Sequence, residues 1–364
     1  MHRIDSTTKL VDGNGAGKDG FTEGSPGITA ATRNTDDWLN AVQEEICNVV
    51  EATGTLAKGT NNQIQQSLWK TLTRLQLNNW TKRTAAASVN FKKAATDGTI
   101  VCVVSSTGTI QYTYDGITYT SVSLGGTLHS IAYGSGYWVA VGDSGALYYA
   151  TDPTGSWTSN TQGAAHFYDV GYGNGYWVAV GVTGTLRYRS ANPAGAWTSN
   201  PQGSGTLYGV HYYNTYWVAV GASGAVWYTT NSTGAWTETT KSGDLYSVTA
   251  GLVGTTATWI AVGNSGKIWV TTGAPNSTWH LRTPAHVADL FDVAIGNGVA
   301  IAIGKLSTAG YCGIQSTHDG ITFIERYAAV GQDLCGCVFL NGKFIVAGDA
   351  GEIHTSFSVE EDWS

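Results

Sequence analysis

The chain has 364 residues, of which only 12% are charged, yet it carries 48 Gly, 14 Trp and 19 Tyr. Such a composition excludes a disordered or coiled-coil chain and calls for many short, turn-rich strands that hide aromatic rings. The formal net charge of −7 argues against a nucleic-acid partner, no run of apolar residues is long enough for a membrane-crossing helix, and Met1 to Leu10 lacks the apolar core of a signal peptide, so synthesis in a cytoplasm is expected.

Taken in order, residues 1–34 are rich in Gly, Thr, Asp and Asn and show almost no apolar periodicity, so they need a partner to be ordered. From Thr35 the pattern changes. Trp38, Leu39, Val42, Ile46, Val49 and Val50 recur at helical spacing, and Gly54 follows as a stop. Thr60-Asn-Asn-Gln63 matches a capping box, and Ile64, Leu68, Leu72 and Leu75 continue it as a stripe. The expectation is a small α-helical domain over residues 1–78, with helices near 36–53 and 61–76. Two short amphipathic helices bury too little to stand alone, so the stripes should pack on each other and on other copies or a larger particle. Docking on the rest of the chain is the plainer alternative.

Asp19-Gly-Phe-Thr-Glu-Gly24 and Asp37-Trp-Leu-Asn-Ala-Val-Gln-Glu-Glu-Ile46, with Asn48-Val-Val-Glu51 after it, resemble the N-terminal segment of tailed-bacteriophage tail fibres and related tail proteins. The resemblance covers roughly residues 1–75. It implies a virion protein of the tail, made in the host cytoplasm, that fastens to tail or baseplate proteins through its N-terminus. Phe21, Trp38, Val42, Ile46, Leu68 and Leu72 are then the attachment and oligomerisation candidates, and the usual state of such fibres implies a homotrimer.

After Trp80 no helical period remains. One phrase recurs instead: Trp138-Val-Ala-Val-Gly142, Trp177-Val-Ala-Val-Gly181, Trp217-Val-Ala-Val-Gly221 and Trp259-Ile-Ala-Val-Gly263, with degraded copies at Val101, Ala300 and Phe344. Seven copies about every 40 residues, each flanked by hairpin turns, predict a seven-bladed β-propeller of four-stranded antiparallel blades over residues 79–364. In the second unit the strands are A from Leu128, B from Tyr137, C from Ala146 and D from Trp157. The phrase reads as packing between blades rather than as a ligand platform. The aromatic opening strand D occurs at Tyr119, Trp157, Trp197, Trp236, Trp279, Phe323 and Trp363, and also at Trp80. Only Ser364 follows Trp363, so residues 80–84 are expected to supply the outer strand of the last blade. Strand D would then enter from the face of the C–D turns, leaving the D–A and B–C loops on the opposite face.

Ser316-Thr-His-Asp-Gly-Ile-Thr-Phe323 resembles the Asp-box of sialidases and several non-enzymatic propellers, with His318 in the place of the Asp. Residues 150–157 with Asp152, and 190–197 with Asn192, are looser versions. The blade rhythm also resembles propellers related to photosystem assembly factors, without the arginine cluster expected there. These resemblances imply fold rather than chemistry.

Polar D–A loops supply the receptor-binding candidates Gln162, His166, Gln202, Lys241, Asp244, His286, Asp289, Gln332 and Asp333, suited to a host-surface glycan or protein. Trp227 and Trp269 share a strand-C position with Gln111, Tyr148, Arg187 and His354, and such variation predicts exposure. A glycosidase would need paired carboxylates or an arginine triad. Arg83, Arg187, Arg189, Arg282 and Arg326 do not repeat at one blade position, and Asp169 and Asp292 share a strand-A slot that Ser130, Gly209, Ser247 and Gly336 fill elsewhere. No catalysis, cofactor or metal site is therefore expected. The alternatives are a purely structural tail or baseplate role, or a propeller glycosidase acting on surface polysaccharide. Cys47, Cys102, Cys312, Cys335 and Cys337 read as reduced core thiols, the last two on one strand face.

Overall fold

A computed structural model describes residues 80–285, 287–305, 313–326 and 331–356. The expected helices, the attachment candidates Phe21, Trp38, Val42, Ile46, Leu68 and Leu72, the loop residue His286 and Trp363 lie outside these residues.

The described chain forms seven four-stranded antiparallel sheets, the seven-bladed propeller expected from the repeat. The inner strands A of blades 1 to 7 are Phe91–Thr96, Leu128–Gly134, Phe167–Gly173, Leu207–Tyr213, Leu245–Val253, Leu290–Gly296 and Leu334–Leu340. The outer strand of blade 7 is Trp80–Arg83, paired antiparallel from Trp80 opposite Ser356 to Arg83 opposite Ile353. Trp80 thus meets the C–D end of strand C, so the chain enters the ring on the C–D face, as the sequence predicted. The mouth on the opposite face is built from D–A and B–C loops.

The recurring phrase is the packing between blades. Trp138, Trp177, Trp217 and Trp259 are all but fully buried. Three of them lie under a cross-strand tyrosine at the end of strand A: Tyr133, Tyr172 and Tyr212, with ring centroids 5.2, 4.9 and 5.2 Å away. The closing glycine has a steric cause. Gly142, Gly181, Gly221 and Gly263 are in extended backbone that any residue can adopt. A Cβ at any of them would fall within 2.1 Å of the carbonyl oxygen of the residue before strand A, namely Thr127, His166, Thr206 or Asp244. That same oxygen accepts the N–H of the residue after the glycine, which ties strand B back to the entry of strand A. Gly142→Ala is expected to cost about 1–3 kcal/mol by forcing this closure apart, read as a lower denaturation midpoint at unchanged m-value.

The Asp-box resemblance needs a correction in blade 6. His318 does not stand for the aspartate. Thr317 opens the turn, and Asp319 Oδ1 accepts the N–H groups of Ile321 and Thr322 and the Thr317 hydroxyl. Blade 1 repeats this with Thr113, Asp115, Ile117 and Thr118. Both turns are one residue shorter than the pattern supposes, and Gly320 and Gly116 take the positive φ this requires, +68° and +73°.

Candidate binding face at the channel mouth

Every blade carries one feature the repeat did not reveal. Strand A has a β-bulge directly after its first core residue, between Phe91 and Lys93, Leu128 and Ser130, Phe167 and Asp169, Leu207 and Gly209, Leu245 and Ser247, Leu290 and Asp292, and Leu334 and Gly336. A bulge re-aims the extra side chain. Here the extra residues are Lys92, His129, Tyr168, Tyr208, Tyr246, Phe291 and Cys335, one per blade at the D–A end of the innermost strand. They ring the mouth of the axial channel. Blades 2 to 6 supply an unbroken series of rings, each touching the next: His129 to Tyr168 at 5.1 Å, Tyr168 to Tyr208 at 5.5 Å, Tyr208 to Tyr246 at 5.6 Å and Tyr246 to Phe291 at 6.0 Å between centroids. All five are half-buried.

Carboxylates stand around this arc. Asp143, at the B–C turn of blade 2, accepts from His129 Nε2 at 2.7 Å and His166 Nδ1 at 2.6 Å. Burial pushes the Asp143 carboxyl up, but these two bonds and the imidazoles' charge outweigh it and hold the group below its ordinary range. Asp244 and Asp289 each use Oδ1 to accept a backbone N–H from the B–C turn of the preceding blade, Ser223 and Ser265, at 2.7 and 2.8 Å. Their charge reaches the arc. Burial and then Asp244 raise the Tyr208 hydroxyl, and burial followed by Asp289 and Asp244 raises that of Tyr246.

The other loop candidates are placed differently. Gln162 and Gln202 are only 6% and 8% exposed. Gln162 donates to the carbonyls of Asn160 and Gly195 and accepts the N–H of Trp197 in the next blade. Gln202 bonds Asn200, whose side chain reaches the Gly234 carbonyl of the following blade. The pair is a repeated inter-blade clasp, Asn-x-Gln, rather than a loop offered to solvent. Lys241 extends over Trp269, its ammonium 5.8 Å from the ring centroid, and burial lowers its pKa. Gln332 is exposed and Asp333 half-buried. At the variable strand-C position Trp227 and Trp269 are partly exposed, but Gln111 and His354 are fully buried, so variation there does not track exposure.

Below the mouth the axis is crossed by a polar network. Lys93 of blade 1 donates to Asp292 of blade 6 and to Ser247 of blade 5, a reach possible only across the channel. Asp292 also accepts the N–H of Cys337 and the hydroxyl of Ser247. Asp169 accepts from Ser130 and from the N–H of Val210. Burial lowers the Lys93 ammonium, yet Asp292 and Asp169 outweigh it and hold the pKa above normal. Asp169 shows the reverse balance: burial raises it against the opposing pull of Lys93, Ser130 and Val210. The sequence marked the Asp169/Asp292 slot but missed Lys93, which fills it in blade 1. The bulge also separates two cysteines read as sharing a face, setting Cys335 in the mouth ring and Cys337 in the core. Among the described residues no cluster of three or more His, Cys, Asp or Glu could hold a metal ion, and no helix is long and apolar enough to cross a membrane.

No family model matches the chain. A 70-residue stretch is 50% identical to the uncharacterized protein StfP of Escherichia coli (strain K12), covering 19% of this chain and 34% of that protein. The chain thus spans about a third of that relative's length. Among solved structures, YCF48 bound to D1 peptide superposes with a TM-score of 0.61 at 15% identity, over 77% of this chain and 96% of the other. The WD40 β-propeller domain of Doa1 gives 0.59 at 12% identity, over 79% and 100%. YCF48 from Cyanidioschyzon merolae gives 0.59 at 14%, over 78% and 99%. These likenesses concern the propeller fold alone.

Proposed function

We propose that the chain is a tail-fibre-type protein of a bacteriophage, attached to the tail or baseplate by its N-terminal residues and presenting the propeller to a receptor on the host surface. The observation that carries this reading is the aromatic and acidic mouth, which opens on the face opposite the one where the chain enters the ring. A domain tethered at its C–D face offers the D–A face outward. The tail-fibre resemblance of residues 19–51 supports the attachment role. Binding rather than hydrolysis fits the channel carboxylates, since Asp169 and Asp292 are committed to backbone N–H groups, serines and Lys93.

Phage particles whose copy of this protein ends before Trp80 are expected to assemble and to lose adsorption to the host. Truncated particles that still adsorb would refute the receptor role. Assembly through residues 1–75 makes the full chain a homotrimer, and light scattering that returns the 38.3 kDa mass of one chain would remove that part of the proposal.

A further inference from the structure

The receptor-binding reading leaves the chemistry of the receptor open, and the mouth narrows it. Five of the seven bulge positions carry rings, in consecutive blades. The rings are tilted against one another by 55°, 51°, 74° and 41°, so each is braced by its neighbours while part of its surface stays open. All stand on the innermost strands, where the bulge is fixed by the closure of strand B behind it. A wall of rigid rings costs little ordering entropy when a ligand lies on it.

The surroundings decide what that ligand is. Asp143, Asp244 and Asp289 flank the arc, and the field of Asp244 and Asp289 already opposes ionisation of its tyrosines: Asp244 acts on Tyr208, and both act on Tyr246. A phosphate, sulfate or carboxylate on the ligand would meet these charges. Asp244 and Asp289 spend Oδ1 on a backbone N–H, and a carboxylate has acceptor capacity beyond one such bond. The Tyr168, Tyr208 and Tyr246 hydroxyls can both donate and accept. Apolar ring surface interleaved with hydroxyls and acceptors matches a sugar ring, which has a C–H face and a rim of hydroxyl donors. A helix or an apolar peptide would need a continuous apolar groove instead.

Resting on the receptor-binding reading, we propose that the arc Tyr168, Tyr208, Tyr246 and Phe291 is a docking track for a glycan free of acid groups. Sugar rings lie on the aromatic faces, and Asp244 and Asp289 accept hydrogen bonds from sugar hydroxyls.

The test uses the full-length protein on an array of bacterial surface polysaccharides, neutral and acidic, together with Tyr208→Ala, Tyr246→Ala and Tyr208→Phe. Retention by one or more neutral glycans is expected. Each alanine variant should weaken it about tenfold, while Tyr208→Phe, which keeps the ring, should stay near wild type. Denaturation midpoints separate lost binding from lost folding, and Tyr168→Ala replaces any variant that does not fold. The proposal is overturned by no retention on any neutral glycan, by preference for acidic ones, or by alanine variants of undiminished affinity. Binding to host cells that survives periodate but is abolished by protease would make the receptor a protein and overturn it too. Adsorption by particles lacking the propeller would sink the receptor role, whatever the array shows; its loss, alongside unaffected tyrosine variants, would sink only the glycan.

Discussion

Asp292→Ala is expected to destabilise the propeller by about 3–5 kcal/mol, the range for removing one partner of a buried ion pair. The carboxylate holds three groups from three blades: the Lys93 ammonium, the Ser247 hydroxyl and the Cys337 N–H, with Lys93 itself linking Ser247. Alanine leaves a half-buried ammonium facing only the Ser247 hydroxyl and the charge of Asp169, and strands the buried Cys337 N–H without its acceptor. Both consequences are costly, the second because the N–H is shut away from water. The double variant Lys93→Met, Asp292→Leu removes both charges and should recover much of the loss, because well-packed apolar pairs often replace buried ion pairs at little cost. Urea denaturation of wild type, single and double variants gives the coupling directly. A single variant within about 0.5 kcal/mol of wild type would show the network to be ornamental.

Acidification is expected to weaken the fold well above the usual carboxylate range. His211 lies near the channel. Burial and then the nearby Lys93 charge lower its pKa from 6.5 to about 4, against the opposing hydrogen bond to Ala250 and the charge of Asp292. Between these two values the unfolded chain takes up a proton that the folded one refuses. Stability therefore falls as the pH drops from 6.5 towards 4, by about 3 kcal/mol in all at about 1.4 kcal/mol per unit. His354, also lowered by burial, adds loss of the same sign. Asp169, whose pKa is raised, takes up its proton in the folded state first and works the other way above 3.8. Asp115, Asp143, Asp152, Asp319 and Glu352 are held low by their hydrogen bonds, so their contribution is present above the ordinary carboxylate values and is lost only as the pH falls below them. The His211 share is isolated by comparing wild type with His211→Gln across pH 7 to 4. The variant's midpoint should fall less steeply, and parallel curves would refute the assignment.

What the sequence made legible follows from periodicity. A phrase that buries a Trp in four blades and a smaller apolar residue or Phe in the other three repeats because every blade meets its neighbour in the same way, and that gave the blade count, the hairpins and the role of Trp80. The mouth was not legible for a reason of the same kind. A bulge shifts pairing by one residue without leaving a mark in the repeat spacing, so nothing in the sequence pattern separates Tyr168, Tyr208 and Tyr246 from ordinary strand aromatics. The available signal was the alignment of Leu or Phe, then an aromatic, then a small residue or Asp, at the start of five consecutive strands. Gln162 and Gln202 were legible as polar loop residues, but their partners lie in the next repeat, and no local pattern shows that a loop side chain is already spoken for. Lys93 escaped because blade 1 carries the most degraded copy of the phrase, which weakens the alignment that would have set it beside Asp169 and Asp292.

The closing strand has a mechanical consequence. Tension applied to the chain ahead of Trp80, with a ligand held at the opposite mouth, runs along strand Trp80–Arg83 rather than across it. Its four cross-strand pairs with Ile353–Ser356 are then loaded together, in shear, instead of being peeled one after another. That ladder joins the first described strand to the last, so a pull that spares it leaves all seven blades in a closed ring, and the strength of the tether is set by those four residues.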